Sequence, residues 1–479
     1  MSTLAAFVSA DRLFDWDLNT SMASGARRGR EGVIETFAGL AHREASRPDV
    51  DDMLSAIDED ATSSAELRRM VQLARRLRRR TERLSAEFEG ELAVAAMRSS
   101  SIWTDARPRN DFAMLSEPLA RLVSLKRQEA SLLDVGDEPY DGLLDQFEPG
   151  ARVSEILPLF DQLSRPLAEL AGAARRHEPR VAGLHWDADG QLALAREVAV
   201  ALGYEPERGG FGISPHPFAS AIHAGDVRIS TRVNPLDPNE CLLSTMHEVG
   251  HAIYDQALPE SLAGTLLWDA PSHGAHESQA RFWENHVGRD EAFWEWLAPH
   301  VIRHFPEQSR TVPPAELFAE TRAVRPSLIR TDADEVTYNL HIILRLEIEL
   351  ALIRGDIEVT DLPNVWDRGM ERLLGIRPDS DADGVMQDSH WPAGDFGYFP
   401  SYTLGNIYAA QLAEALGREC GTLTSLIRAG SFATIADFMR RRLHQHGQRF
   451  DADEIMARAT GEPRSTDALV RHLRQRYAQ

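Results

Sequence analysis

The stretch "TMHEVGHAIYD" at residues 245–255 constrains the fold more than any other segment of the chain. His247 and His251 stand four positions apart, one turn of an α-helix, so they share a face, and Glu248 lies beside the first of them. Met246, Val249, Gly250, Ala252, Ile253 and Tyr254 wrap small and apolar side chains around this polar trio. That pattern predicts a buried helix with water excluded from its back side. The H-E-x-x-H spacing points to two histidines that hold zinc and a glutamate that takes a proton from water at the metal. The plainer alternative is a helix with two ordinary histidines.

Around this helix the chain reads as mainly α-helical. From about residue 30 to 200 apolar residues recur at three-to-four spacing. In residues 64–98 they are Leu67, Met70, Leu73, Leu77, Leu84 and Phe88 among arginines and glutamates, which predicts one long helix or a helical hairpin. The run "RRLRRR" at 75–80 inside it reads as a solvated helix face, against an anion site as the rarer alternative. Further helices are expected at 112–134, 152–177, 189–202 and 335–353, with Pro and Gly clusters such as "EPYDGLLDQFEPG" between them. Between Gly203 and Pro238 the texture changes to short β-branched pieces, "FGIS" and "AIHAGDVRISTRV". The second predicts a hairpin turning at Ala224, Gly225 and Asp226, hence one small β-sheet just before the histidine helix. No low-complexity linker or fixed repeat divides the 479 residues. The expectation is one domain over 1–479, with a helical part at about 1–203, a β region at about 204–238 and a helical catalytic part at about 239–479.

A formal charge of −22 repels phosphate backbones and anionic membranes, so nucleic acid and membrane surfaces are not expected partners. No stretch approaches the ~18 apolar residues of a membrane span, and the first residues lack a secretory pattern, which makes the cytoplasm the expected compartment. Cys241 and Cys420 are too few for a disulfide framework and are read as reduced structural thiols. Lys126 is the sole lysine, so every other fixed cation is an arginine able to fork onto a carboxylate.

A catalytic zinc site needs three protein ligands and an open position. The helical stretch "HESQARFWENHVG" from residue 276 offers two carboxylates as the third ligand, Glu277 and Glu284. At this point the sequence resembles the carboxypeptidase Taq family of zinc metallocarboxypeptidases over nearly its whole length. Six motifs of that family stand in order: "HPF" at 216–218, "DVRIS" at 226–230, "HEVGH" at 247–251, "HESQ" at 276–279, "IRTDAD" at 329–334 and "GVMQDSHW" at 384–391. "WTDARPRNDF" at 103–112 and "LLDQFEPG" at 143–150 look like family segments too. One departure is Ser230, where the family usually has threonine; the hydroxyl is kept, and only local packing is at issue.

The resemblance implies a large multi-helical zincin-type fold with a central substrate cleft, and a homodimer. It implies a peptidase that releases single C-terminal residues from peptides with a free C-terminus, using one zinc per chain, with cobalt as a substitute ion. The ligands would be His247, His251 and Glu277, with Glu248 as general base. His390 and Tyr402, from "QDSHWPAGDFGYFPSYTLGN", would donate to the oxyanion, with Tyr398 close by in the aromatic run. Arg228 and Arg330 are the arginines placed by family motifs to fork onto the substrate carboxylate, and His216 to orient substrate. For each the ordinary alternative is structural: an edge-strand charge for Arg228, an ion pair with Asp332 or Asp334 for Arg330, a rigid turn in "SPHPF" for His216. Asp334, Glu335 and Asp388 are the carboxylates expected to hold the outer N–H groups of the zinc-binding imidazoles. A zinc oligopeptidase or dipeptidyl carboxypeptidase, and a catalytically silent metal-binding helical scaffold, are the other readings.

Overall fold

The computed structural model describes residues 2–45, 47, 49–59, 63–173 and 183–478. Its helices follow the apolar period and start where a polar side chain satisfies the free N–H groups of the first turn. The arginine-rich stretch is two helices, Ala65–Arg83 (α2) and Ala86–Ala106 (α3). Ser64 and Ser85 cap them by accepting from the N–H of Leu67 and Phe88. Asp111 does the same for Phe112–Leu133 (α4) through Met114 N–H. The helices expected at 152–177 and 189–202 are Val153–Ala173 and Ala188–Leu202; positions 174–177 lie outside the described residues.

One helix, Ser2–Thr20 (α1), has no counterpart in the sequence reading. It packs on a sheet edge. Ser9 Oγ donates to the Ile222 carbonyl at 2.6 Å and an Arg12 N–H to the Ala221 carbonyl at 2.7 Å, so α1 covers backbone groups that an edge strand would expose. The sheet is as placed: β1 (Gly209–Ile213), β2 (Ala219–His223) and β3 (Asp226–Thr231), in the order β1-β3-β2, with β2 and β3 forming the expected hairpin. β1, the "FGIS" piece, pairs parallel to β3. On β3, Val227 and Ile229 are fully buried in the main core, and Arg228 between them points to the other face.

That core is one continuous cluster whose members run from Ala106 to Tyr477. At its centre lies Tyr338–Arg354 (α7), buried around most of its girth except a narrow stripe at Glu347, Ala351 and Arg354; His341, Arg345 and Glu349 are buried with its leucines and isoleucines. Beside it three helices carry the site: Pro238–Ala257 (α5), His273–Arg281 (α6) and Pro400–Cys420 (α8). Two glycines let α6 sit tightly between the other two. A Cβ on Gly250 of α5 would stand 2.5 Å from the Gln279 carbonyl oxygen, and one on Gly405 of α8 would stand 2.6 Å from Glu277 Cγ. No larger residue fits either crossing without separating the helices.

Candidate active site

α5 presents His247 and His251 on one face, and the close crossing at Gly250 brings Glu277 of α6 against them. Glu277 Oε2 lies 3.8 Å from His247 Nε2 and 3.5 Å from His251 Nε2, and the three donor atoms all lie within 4.8 Å of one another. Among the described residues this is the grouping of His, Cys, Asp and Glu side chains able to surround one ion. Two neutral nitrogens and one carboxylate oxygen are the donor set of a catalytic zinc site. Their electrostatics suit that use. Burial, aided by neighbouring His276, pushes His251 down to about 4, leaving it neutral with a free lone pair. Glu277 is held well below the ordinary carboxylate range: burial opposes ionisation, but Arg281, His247 and His251 outweigh it.

Supporting contacts surround the trio. The Arg281 Nε–H donates to Glu277 Oε1 at 2.7 Å, leaving Oε2 facing the histidines. His247 Nδ1 meets Glu284 Oε2 at 2.9 Å, and Arg281 donates to the same oxygen at 3.1 Å. Glu284 is therefore the carboxylate on the outer nitrogen of His247. It reaches there because α6 continues after Arg281 as a π-helical segment, Phe282–Val287, whose wider turn shifts its phase. The three carboxylates expected in this role are engaged elsewhere. Asp334 accepts from the N–H groups of Arg325, Val336 and Thr337; Glu335 binds His472, Arg476 and Tyr477; Asp388 binds Arg330 and Arg345. His251 has no such carboxylate: its Nδ1 is buried and unbonded among the described residues, and its ring stacks on His276 at 4.4 Å, which is tied to Asp255 at 3.2 Å.

Glu248 differs from both carboxylates of the trio and its support. It is 5% exposed, and burial raises it to about 7, His247 offsetting part of the effect. It lies next to the donors yet outside the ligand grouping. Across the site stand His390, Tyr398 and Tyr402. His390 Nε2 and the Tyr402 hydroxyl are 3.1 Å apart, and the Tyr398 ring is 5.4 Å from His390 and 5.2 Å from Tyr402. Burial takes His390 down to about 3, so it is a neutral imidazole, and keeps the Tyr402 hydroxyl protonated. Gly405, three residues after Tyr402 on α8, is the position pressed on Glu277, so one helix ties this wall to the ligand trio.

The arginines separate. Arg228 is not brought to the trio: it forms a two-bond fork with Asp226 on its own strand, at 2.8 and 2.7 Å, and covers the Trp16 indole at 5.7 Å. Its strand alternation points it toward α1; β3 is the central strand, so the expected edge-strand charge is instead a structural ion pair on the sheet face. Arg330 does reach the aromatic wall, 4.9 Å over the Tyr402 ring, but its ion pair is with Asp388 at 2.7 Å rather than with Asp332 or Asp334. Arg345, wholly buried, shares the same Asp388, so two fixed positive charges face one carboxylate. His216 is exposed in its loop near Arg232 and Arg107, with Ser214 Oγ donating to its carbonyl. The Ser230 hydroxyl meets Ser214 Oγ at 2.8 Å and accepts from Phe218 N–H at 3.0 Å, so it fastens the "HPF" loop to β3.

A profile of the carboxypeptidase Taq (M32) metallopeptidases matches residues 1–477. The chain is 38% identical to thermostable carboxypeptidase 1 of Thermus thermophilus, over 99% of this chain and 96% of that one, and 32% identical to carboxypeptidase 1 of Bacillus subtilis, over 100% and 96%. Among solved structures, the M32 carboxypeptidase of Deinococcus radiodurans superposes with a TM-score of 0.96 at 35% identity, covering 100% of this chain and 97% of that one. Trypanosoma cruzi metallocarboxypeptidase 1 superposes with 0.95 at 31% identity, covering 100% and 98%.

Proposed function

The chain is a metallocarboxypeptidase of the carboxypeptidase Taq (M32) family, and on that premise we propose that it removes single C-terminal residues from peptides with zinc held by His247, His251 and Glu277. The observation that carries this reading is the donor trio itself, with a buried, non-ligating Glu248 beside it. Cobalt is a substitute ion, one ion per chain. When bound, the ion supplies Lewis acidity toward water and toward the scissile carbonyl.

Every other task falls to side chains. Glu248, near 7, accepts the proton of the attacking water and returns it to the leaving amine. The Tyr402 O–H and a His390 N–H donate to the carbonyl oxygen as charge builds there, each such donor contributing about 2.7 to 4 kcal/mol. Arg281 holds Glu277 in its ligating orientation, and Glu284 fixes the His247 ring. The surplus positive charge of Arg330 and Arg345 over Asp388 receives the terminal carboxylate beyond Tyr402. Tyr398 and His216 line the path of the substrate.

The test is one peptide presented as free acid and as C-terminal amide. The free acid is cleaved with a kcat/KM higher by about 2 to 5 kcal/mol of transition-state stabilisation. Equal rates on both would remove the carboxylate role of Arg330. The expected assembly is a cytoplasmic homodimer, checked by sedimentation of the purified protein; no helix among the described residues is long and apolar enough to cross a membrane.

A further inference from the structure

A cleft leads away from the site on the side that Arg330 does not occupy. Its inner part, a cavity of about 510 Å³, is lined by Asp255, His273 and His276. His276 stacks on the ligand His251, and His273 packs on Tyr398 at 5.2 Å, so this part meets the site on both its metal and its aromatic sides. A second cavity of about 820 Å³ shares Leu73, Arg76, Leu77, Gln146 and Pro149 with the first, so the two adjoin, with Arg76 lining both. Arg330, His390 and Tyr402 line neither part. A peptide whose terminal carboxylate sits at Arg330 would extend the residues that precede the cleaved bond past His273 and His276 toward these adjoining cavities.

The outer wall is the face of α2 that carries the "RRLRRR" run. Most of its arginines are matched by a carboxylate: Arg69 by Asp451 at 2.6 Å, Arg80 by Glu129 at 2.6 Å, Arg83 by Asp134 at 3.2 Å. Two positive charges are left over. Asp145 alone serves both Arg76, at 3.2 Å, and Arg152, at 3.5 Å. Arg79, exposed on the lining, has no hydrogen bond or ion pair among the described residues. The surplus is felt locally: burial, together with repulsion from Arg79 and Arg69, depresses the Arg76 guanidinium in spite of Asp145. In a chain of net charge −22 the lining of this outer cavity thus carries seven arginines against six carboxylates, a small local positive excess.

We propose that this outer cavity is a subsite for carboxylate side chains of the substrate upstream of the cleaved bond, with Arg79 and Arg76 as the recognising groups and acidic peptides as the preferred class. The subsite rests on the reading that the trio cleaves C-terminal residues, and the experiment separates the two. Three acetylated hexapeptides share their last three residues and carry Glu, Gln or Arg at the first three positions; an acetylated dipeptide of the last two shared residues serves as the short substrate. The expected order of kcat/KM is Glu over Gln over Arg, about fivefold from first to last. It resides mainly in KM, flattens in 0.5 M NaCl as the exposed charges are screened, and disappears or reverses in Arg79→Glu. Equal kcat/KM for the three hexapeptides, or an order that survives in a folded Arg79→Glu protein, overturns the subsite. If the dipeptide is cleaved while the hexapeptides show no order, the carboxypeptidase reading stands alone; if no peptide is cleaved, both fall.

Discussion

Glu248 and Glu277 are both buried beside the histidines, yet their neighbours drive them apart. Glu248 stays near 7 because little beyond His247 offsets its burial, while Arg281 and two imidazoles keep Glu277 ionised. Two carboxylates pushed in opposite directions divide into a proton carrier and a ligand. Glu248→Gln is accordingly expected to retain about one metal ion per chain and to lose at least about a thousandfold in kcat. Glu277→Gln loses the metal itself; elemental analysis beside initial rates reads both. Glu284→Gln, which acts on the donor trio through the outer nitrogen of His247 and through Arg281, lowers metal affinity or activity about 10- to 100-fold. An unchanged affinity and rate in Glu284→Gln would show that the His247 ring needs no holding. These residues were not equally legible in the sequence. His247, Glu248 and His251 follow from local spacing on a single turn. Glu284 was visible as a rival ligand, but its actual place depends on a π-helical turn that no periodicity announces. Asp334 and Asp388 sit in family motifs, with Glu335 directly after one, and all three proved to serve other partners, because proximity in a motif does not determine which charge a carboxylate meets after folding.

Helices converge on the site through positions that lack side chains. Gly250→Ala places a methyl group 2.5 Å from the Gln279 carbonyl, where backbone and not a flexible side chain must yield. The expected result is a loss of about 1 to 3 kcal/mol of stability and weaker metal binding, since the ligands sit on the two helices forced apart. Denaturant titration and metal titration of the variant measure each. Glu148 offers a second handle on the same helices. It accepts from Gly274 N–H at the start of α6 and from Ser401 Oγ at the start of α8, both at 2.5 Å, and burial raises it to about 7. The folded state therefore holds a proton that the unfolded chain releases near 4.5, so the contribution of Glu148 is fully present below about 4.5 and declines as pH rises to about 7. The wild-type stability, taken relative to Glu148→Gln, should fall by on the order of 3 kcal/mol across that window. A difference that stays constant with pH would mean Glu148 titrates normally. At this scale the sequence was largely readable: most helices lie within a few residues of the expected positions, and the hairpin turns where Gly225 allows. Left open was whether residues 64–98 form one helix or a hairpin, which the cap at Ser85 decides for two helices, and α1 was not singled out, since its docking partner is a strand edge more than two hundred residues away.

The continuous core from Ala106 to Tyr477 has a thermodynamic consequence for the whole molecule. We propose that the chain unfolds as one unit, although its length would permit two. Metal bound at about a thousand times its dissociation constant stabilises the folded state by about 4 kcal/mol. A unit of 479 residues has an unfolding entropy of about 1 kcal/mol per kelvin, so chelating the metal should lower a single Tm by about 4 °C. If the helical part from about residue 239 unfolded on its own, its entropy would be near half that value. Its transition would then shift by about 8 °C, while a second transition from the earlier residues stayed where it was. Calorimetry with and without chelator therefore tests at once whether the trio binds an ion in the folded state and whether the helices before residue 203 share its fate. No linker to cut at is legible in the sequence, and that is a reason to expect one unit. The sequence does not reveal why: α7, buried around most of its girth, packs against helices from both halves, and its residues belong to the one core they share.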